Sequence, residues 1–330
     1  MHIPDAVLAP QVAATTGVVA AGGLAVCLRK LQCHLRDRTT VLMGVMSAFV
    51  FAAQMVNFPL YPLPISGHFL GGVLSAVLLG PWAGAVVIAA VLIVQCLLFG
   101  DGGVTALGAN FVNMGLIGSL GGHAIYAPIR RALGGRVGIL VGAMAAAWFS
   151  VLLASGAFAV ELAASGRRFD FLAVLGWMAL VHAAIGVGEA LITGLVLRFL
   201  LLVRPDLIEA EEPGVPSWAR RWGQVLAGGL GVALAVATFL APFASEVDDG
   251  LEWVGGKLGF LKKEEPVLAA PIPDYKLALP GLRFVPAATA VAGVVGTLVV
   301  FGVGFGLARV FSRDASAVIE AGATEAEETR

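Results

Sequence analysis

Long apolar runs alternate with short polar breaks along this chain, and that alternation predicts its elements. Runs that can span a bilayer lie at about 10–28, 41–58, 67–80, 82–99, 105–128, 136–160, 171–202, 223–244 and 285–308, most of them near the twenty residues that a membrane helix needs. The run at 67–80 is short for a span, and Gly80–Pro81 parts it from the next because proline cannot continue a helix. It enters either obliquely or as a re-entrant segment. Composition agrees with the pattern. Hydrophobic residues make up 58% of the 330 and charged residues 13%, about half the charge of a soluble domain, and the mean hydropathy is +0.91. The fold class is therefore an all-α polytopic membrane protein, and its 43 glycines suit helices that approach closely in lipid.

Basic residues in the short loops set the orientation. With the amino terminus outside, the inner loops carry Arg29, Lys30, Arg36 and Arg38, then Arg130, Arg131 and Arg136, then Arg204, Arg220 and Arg221, then Arg309 and Arg313. The short outer loops carry only Arg167 and Arg168. This bias requires an even number of crossings between residues 29 and 129, so 67–80 and 82–99 count as two. Nine spans follow, with an extracytoplasmic amino terminus and a cytoplasmic carboxy terminus. One face then holds MHIPD at the start, NFPLYPLPISGH (57–68), FGDGG (99–103) and the polar segment 245–283. The stretch 204–221, with its prolines and acidic run, reads as a cytoplasmic linker. The chain thus divides into a seven-span unit (1–203), that linker, and a two-span unit (222–314) containing segment 245–283. The small, acidic tail 315–330 is expected to be disordered.

The chemistry concentrates at the start. No basic and apolar leader precedes residue 10, so this end reads as retained rather than trimmed. The α-amine of Met1, the amide nitrogen of His2 and the His2 Nδ1 can reach one metal ion, closing two chelate rings that share the amide. Such rings hold three nitrogens near one plane, and one more imidazole completes a square. Square-planar nitrogen suits Ni(II) or Cu(II), whereas Zn(II) prefers a tetrahedron. The amine must be free and the amide must deprotonate, so affinity falls in acid. His68 is the candidate fourth ligand, because only it and His2 fall on the outer side. Asp5, Asn57 and Ser66 are close in sequence to these ligands and are candidates to hold the imidazoles' other nitrogens. Against this stands the ordinary solvated loop histidine, and spacing alone does not decide.

Other polar positions have plainer readings. Gln54, Asn57, Gln95, Asp101, Asn110 and Asn113 lie in or beside apolar runs, where hydrogen bonding between helices is the commonest role. Asn57 and Asp101 are also candidates to shape a metal pocket. His182 and Glu189, seven apart on one helix face, are expected to pair within the bundle. His34 and His123 read as interface residues. Cys27, Cys33 and Cys96 have no CxxC spacing and indicate neither a disulfide framework nor a thiolate site. No basic stripe points to nucleic acid. HExxH, GxSxG and the phosphate loop GxxxxGK[ST] are all missing, which argues against an intramembrane metalloenzyme and against ATP hydrolysis by this chain.

Several blocks carry a resemblance. MHIPD, MGVMSAFVFAAQMVNFP (43–59), SGHFLGGVLSAVLLGPWAG (66–84), VQCLLFGDGGVTALGANFVNMG (94–115) and HAAIGVGEALITG (182–194) resemble the CbiM/NikM family. Its members are substrate-binding membrane components of energy-coupling-factor (ECF) transporters for cobalt and nickel. DDGLEWVGGKLGFL (248–261) and PDYKLALPGL (273–282) resemble the PDGLE extension, a two-span accessory component. Asp248–Asp249 stands where that family usually has Pro-Asp, and Ala6 where glycine is usual, which matters only if the backbone there needs a positive φ. The resemblance implies metal ligation by Met1 (amine), His2 (amide and imidazole) and His68 (imidazole). It also implies a seven-helix core and a bacterial plasma-membrane location. Ni(II) or Co(II) is then transported cargo, with no covalent cofactor. The implied partners are a membrane coupling subunit and cytoplasmic ATPases. A membrane metal sensor or storage protein is the competing class.

Overall fold

The computed structural model describes residues 1–32, 37–166, 169–208, 218–261, 266–277 and 285–328. Cys33, His34, Arg36, Arg167 and Arg168 lie outside the described residues, as do half of the linker and part of the 245–283 segment. The described chain is almost wholly helical. Helix α1 (Pro10–Gln32) is followed by α2 (Asp37–Gln54) and a two-residue hairpin, β1 (Phe58–Pro59) against β2 (Ser66–Gly67). Next come α3 (Gly72–Leu79) and α4 (Pro81–Val94), which ends in a π-helical turn at Gln95–Phe99. A continuous helical run holds α5 (Leu107–Asn110), a π-wound stretch Phe111–Gly121 and α6 (Gly122–Leu133). Then follow α7 (Gly135–Ala164), α8 (Phe171–Val203), α9 (Trp218–Ala235), α10 (Gly250–Leu258) and α11 (Val285–Glu328).

This is a multi-pass membrane protein. Among the described residues six helical stretches are long and apolar enough to cross a bilayer: Pro10–Gln32, Pro81–Phe99, Gly135–Ala164, Phe171–Val203, Trp222–Phe243 and Pro286–Phe311. Helix α4 is buried on all sides, as an all-apolar helix should be at a core. It touches α1, α2, α3, α11 and the π-wound stretch, while α7 packs along α8 and α2 along α11. Leu180, Val187, Leu191, Leu195 and Phe199 of α8 point outward, an apolar face that lipid accommodates.

Two expectations need correction. The run 67–80 is not a helical span. Its helix, α3, has eight residues and is only about 12 Å long, against about 30 Å of hydrocarbon. Ile65–Gly71 is instead a buried extended segment, and glycine at position 71 takes φ 78° to start the helix. The tail also differs, for α11 continues to Glu328; alanine and glutamate, which fill that stretch, are strong helix formers.

Irregular backbone inside a membrane protein persists only where other groups satisfy its amides. Here Glu189 of α8 accepts from the Leu70 N–H at 2.6 Å and the Gly71 N–H at 3.0 Å. The Gln54 amide of α2 donates to the Leu70 carbonyl at 2.8 Å. Glu189 is therefore turned to the α3 start, not to His182 as the helix spacing suggested. Glu189→Ala strands two buried N–H groups and is expected to cost about 2–3 kcal/mol, read as a lowered melting temperature of the detergent-solubilised protein. An unchanged melting temperature would count against this role.

Candidate metal centre at the amino terminus

The first residues are packed inside the protein. Met1 is 4% exposed and Ile3 is fully buried. Asn110 grips the Ile3 peptide from both sides, accepting its N–H at 2.8 Å and donating to its carbonyl at 3.1 Å. Gly103 donates to the same carbonyl at 2.9 Å. A side chain at Gly103 would run into the Asp5 backbone, 2.2 Å from its amide nitrogen, so the turn after α4 must be glycine there to seat the terminus. Asp5 accepts from the Thr105 amide (2.8 Å) and hydroxyl (2.7 Å) and from the Val267 amide (3.1 Å). Ala6 has φ 59°, the left-handed conformation in which a β-carbon is crowded.

Within this cradle the Met1 amine and His68 Nε2 face one another in direct contact. Asp249, which caps α10, holds the same amine at 2.7 Å. The His68 Nδ1 lies 3.2 Å from the Phe69 carbonyl. A carbonyl only accepts, so Nδ1 carries the ring proton and Nε2 turns its lone pair towards the amine. The His2 ring stacks on His68 with centroids 5.1 Å apart and planes within 18°. Its Nε2 lies 3.2 Å from the Gln95 amide oxygen and its Nδ1 3.1 Å from Asp101. Asp101 in turn accepts from the Tyr275 hydroxyl at 2.5 Å.

Burial sets the protonation states. It pushes the His2 imidazole down, partly opposed by the Asp101 charge. His68 falls further, through burial and then the Met1 amine and His2 beside it. Burial would raise the Asp249 carboxyl, yet the Met1 ammonium and His68 hold it well below the usual range. Both imidazoles are thus neutral near pH 7, the form that binds metal.

The structure brings together Met1, His2, His68 and Asp101. Asp5, Asn57 and Ser66 bond elsewhere. The Asn57 carbonyl accepts from the Ser245 amide at 2.9 Å, and the Ser66 hydroxyl donates to the Val247 carbonyl at 2.7 Å. They tie loops together, while Gln95, Asp101 and the Phe69 carbonyl hold the imidazoles. Among the described residues no three His, Cys, Asp or Glu side chains are grouped to hold a metal ion, so a site here depends on main-chain nitrogen.

A family model described as the cobalt uptake substrate-specific transmembrane region, CbiM, matches residues 2–207. The chain belongs to this family. A second model, the PDGLE domain, matches residues 223–313. A putative fused nickel transport protein NikMN of Archaeoglobus fulgidus is 35% identical over 313 residues, covering 94% of this chain and 98% of that protein. The fused nickel transport protein NikMN of Rhodobacter capsulatus is 30% identical, covering 92% and 96%. A crystal structure of a truncated transition metal transporter aligns with a TM-score of 0.55 at 31% identity, covering 61% of this chain and 99% of that one. These relatives are transport proteins, and this chain is a transport component rather than an enzyme.

Sequence reasoning missed two residues that this CbiM-type chain places against the candidate site. Asp249 drew notice only for the residue before it, and Gln95 only as a bundle polar group. The signal for Asp249 was its place at the start of the PDGLE-like block; for Gln95 it was a buried amide one turn before FGDGG.

Ala6→Gly is expected to raise stability by about 1 kcal/mol by relieving the left-handed strain, seen as a higher melting temperature. A second expectation follows from the imidazoles. Their folded pKa values lie below 6.5, so as pH falls from 6.5 towards those values the unfolded chain takes up more protons and stability drops. The melting temperature should decline over that window, and less steeply in His2→Ala. Equal slopes would contradict the assignment.

Proposed function

We propose that this chain is the substrate-binding membrane component of an ECF-type ABC importer, and that it captures Ni(II), or alternatively Co(II), at an extracytoplasmic amino terminus. The observation that carries the reading is the direct apposition of the Met1 amine and His68 Nε2, with the His2 ring stacked alongside. Two nitrogens in that relation are neighbouring corners of a square. The His2 amide and imidazole supply the other two once His2 Nδ1 exchanges the Asp101 carboxylate for the ion. Planar nitrogen leans towards Ni(II), and two relatives are named as nickel transport proteins; another, from Geobacter sulfurreducens, is named as a cobalt transport protein.

The Asp249 carboxylate competes with the ion, because a protonated amine held by Asp249 has no lone pair to give. Capture therefore requires loss of the amine proton and of the amide proton. Transport would draw on a membrane coupling subunit and on cytoplasmic ATPases in a bacterial plasma membrane. The unit 1–203 would bind the ion, and the two-span unit (222–314) would close over it with its extracytoplasmic segment.

The experiment is a Ni(II) titration of purified protein with its native amino terminus, followed by optical absorption. A diamagnetic planar spectrum is expected, abolished by His68→Ala and by an extension of several residues before Met1. With two protons released per ion, affinity should rise up to about a hundredfold per pH unit while both are still bound. Undiminished binding by both altered proteins would overturn the reading.

A further inference from the structure

The hairpin that joins α2 to α3 ends in an exposed apolar tip. Tyr61 is 87% exposed and Leu63 48%, and Pro59, Pro62 and Pro64 beside them are exposed as well. No Asp, Glu, Lys or Arg occurs between Arg38 and Asp101, so the tip has no charge to hold it in water. Its backbone also offers few donors. Three of its five exposed residues are prolines, which carry no N–H. The Leu60 N–H donates to the Ile65 carbonyl at 2.9 Å, and the Leu63 N–H to the Leu60 carbonyl at 2.8 Å. Lipid tolerates backbone only where its polar groups are already satisfied, and this tip comes close to that condition.

The base of the hairpin fixes its depth. A β-carbon at Gly188 of α8 would run into the Phe58 ring, and one at Gly67 would stand 2.9 Å from Ile185 Cγ2. Both strands therefore lie against α8 near residues 185–188. Helix α8 ends at Val203. Counting back about 30 Å of hydrocarbon from there, at about 1.5 Å per residue, reaches roughly residue 183. The strands are thus level with the edge of the hydrocarbon, and a tilted α8 would sink them deeper. From Phe58 to Tyr61 the chain rises by about 10 Å at most, which keeps the tip at or below the headgroup layer. On the same stretch of α8, Val187 and Leu191 are 52% and 51% exposed, so a lipid-facing surface adjoins the hairpin.

We propose that the tip at 59–64 is a lipid-binding surface, seated in the headgroup region of the leaflet nearer Met1 with Tyr61 as its anchor. Tyrosine suits that place, because its ring enters apolar surroundings while its hydroxyl stays hydrated. Leu63 adds an aliphatic side chain to the same tip. The partner is a phospholipid surface rather than another protein, because the tip is uncharged and continuous with the lipid-facing side of α8. This assignment is independent of the metal reading, since it rests on depth and exposure alone. It reaches the site all the same. His68 follows directly after β2, so a tip held by lipid steadies the strand that leads into it.

The test uses the full chain in phosphatidylcholine bicelles, with fluorotyrosine in place of tyrosine, followed by fluorine NMR. Of the three tyrosines only Tyr61 is exposed, and Tyr61→Phe identifies its signal by removing it. A phosphatidylcholine that carries a nitroxide at the headgroup end of its acyl chain is expected to erase that signal. A gadolinium chelate confined to the water is expected to leave it. Erasure by the chelate, with or without erasure by the nitroxide lipid, would put the tip in water and overturn the proposal. A signal that persists with both reagents would mean that protein, such as a second copy of this chain, covers the tip. That result would overturn the proposal too.

Discussion

A buried ammonium group organises this protein. The start of a chain usually floats in water, where its charge is hydrated at no cost. Here the Met1 amine sits inside, and a buried charge is tolerated only with a partner and further hydrogen bonds. Asp249 provides the charge at 2.7 Å and His68 the second contact. Because Asp249 stands at the head of α10, the pair also docks the PDGLE region on the CbiM region. Asp249 further accepts from the Glu252 amide in its own capping box, so its carboxylate is aimed before the amine arrives.

The surrounding irregularities follow from the need to make room for that end. The hairpin and the extended segment Ile65–Gly71 take the place of a full span, and this is what lets His68 reach the terminus. Glu189 and Gln54 satisfy the amides and carbonyl that such a segment leaves free. The glycine turn at 100–103 brings backbone against backbone at Asp5. Ala6 holds a left-handed conformation with a β-carbon. Strain of this kind gathers where surrounding contacts over-determine the chain, and binding sites are such places.

The site also draws on both matched regions. Val267 and Tyr275, from after α10, brace Asp5 and Asp101, and Tyr275 stacks on Phe99 with centroids 4.6 Å apart. The carboxylate that clamps the amine at 2.7 Å comes from the C-terminal matched region, so that region is tied to the amino terminus through a buried charge pair.

The sequence by itself determined the membrane class, most helix positions and which nitrogen donors the first two residues offer. Hydrophobic runs report the solvent directly, and the donors at Met1 and His2 are adjacent in the chain, so local chemistry was enough. Pairing them with His68 also needed the face on which loop charges placed it. What only tertiary structure decided was everything set by distance in the chain. The segment 67–80 is apolar enough for a helix, yet its backbone amides found Glu189, more than a hundred residues away. The same holds for His182, whose seven-residue spacing from Glu189 suggested a pair. Each instead took a nearer carbonyl or amide in space. Asp249 gave no local sign of reaching Met1, because an acidic residue before a short helix already has a capping role. Packing brought Met1 and Asp249 together, and the burial of one charge required the other.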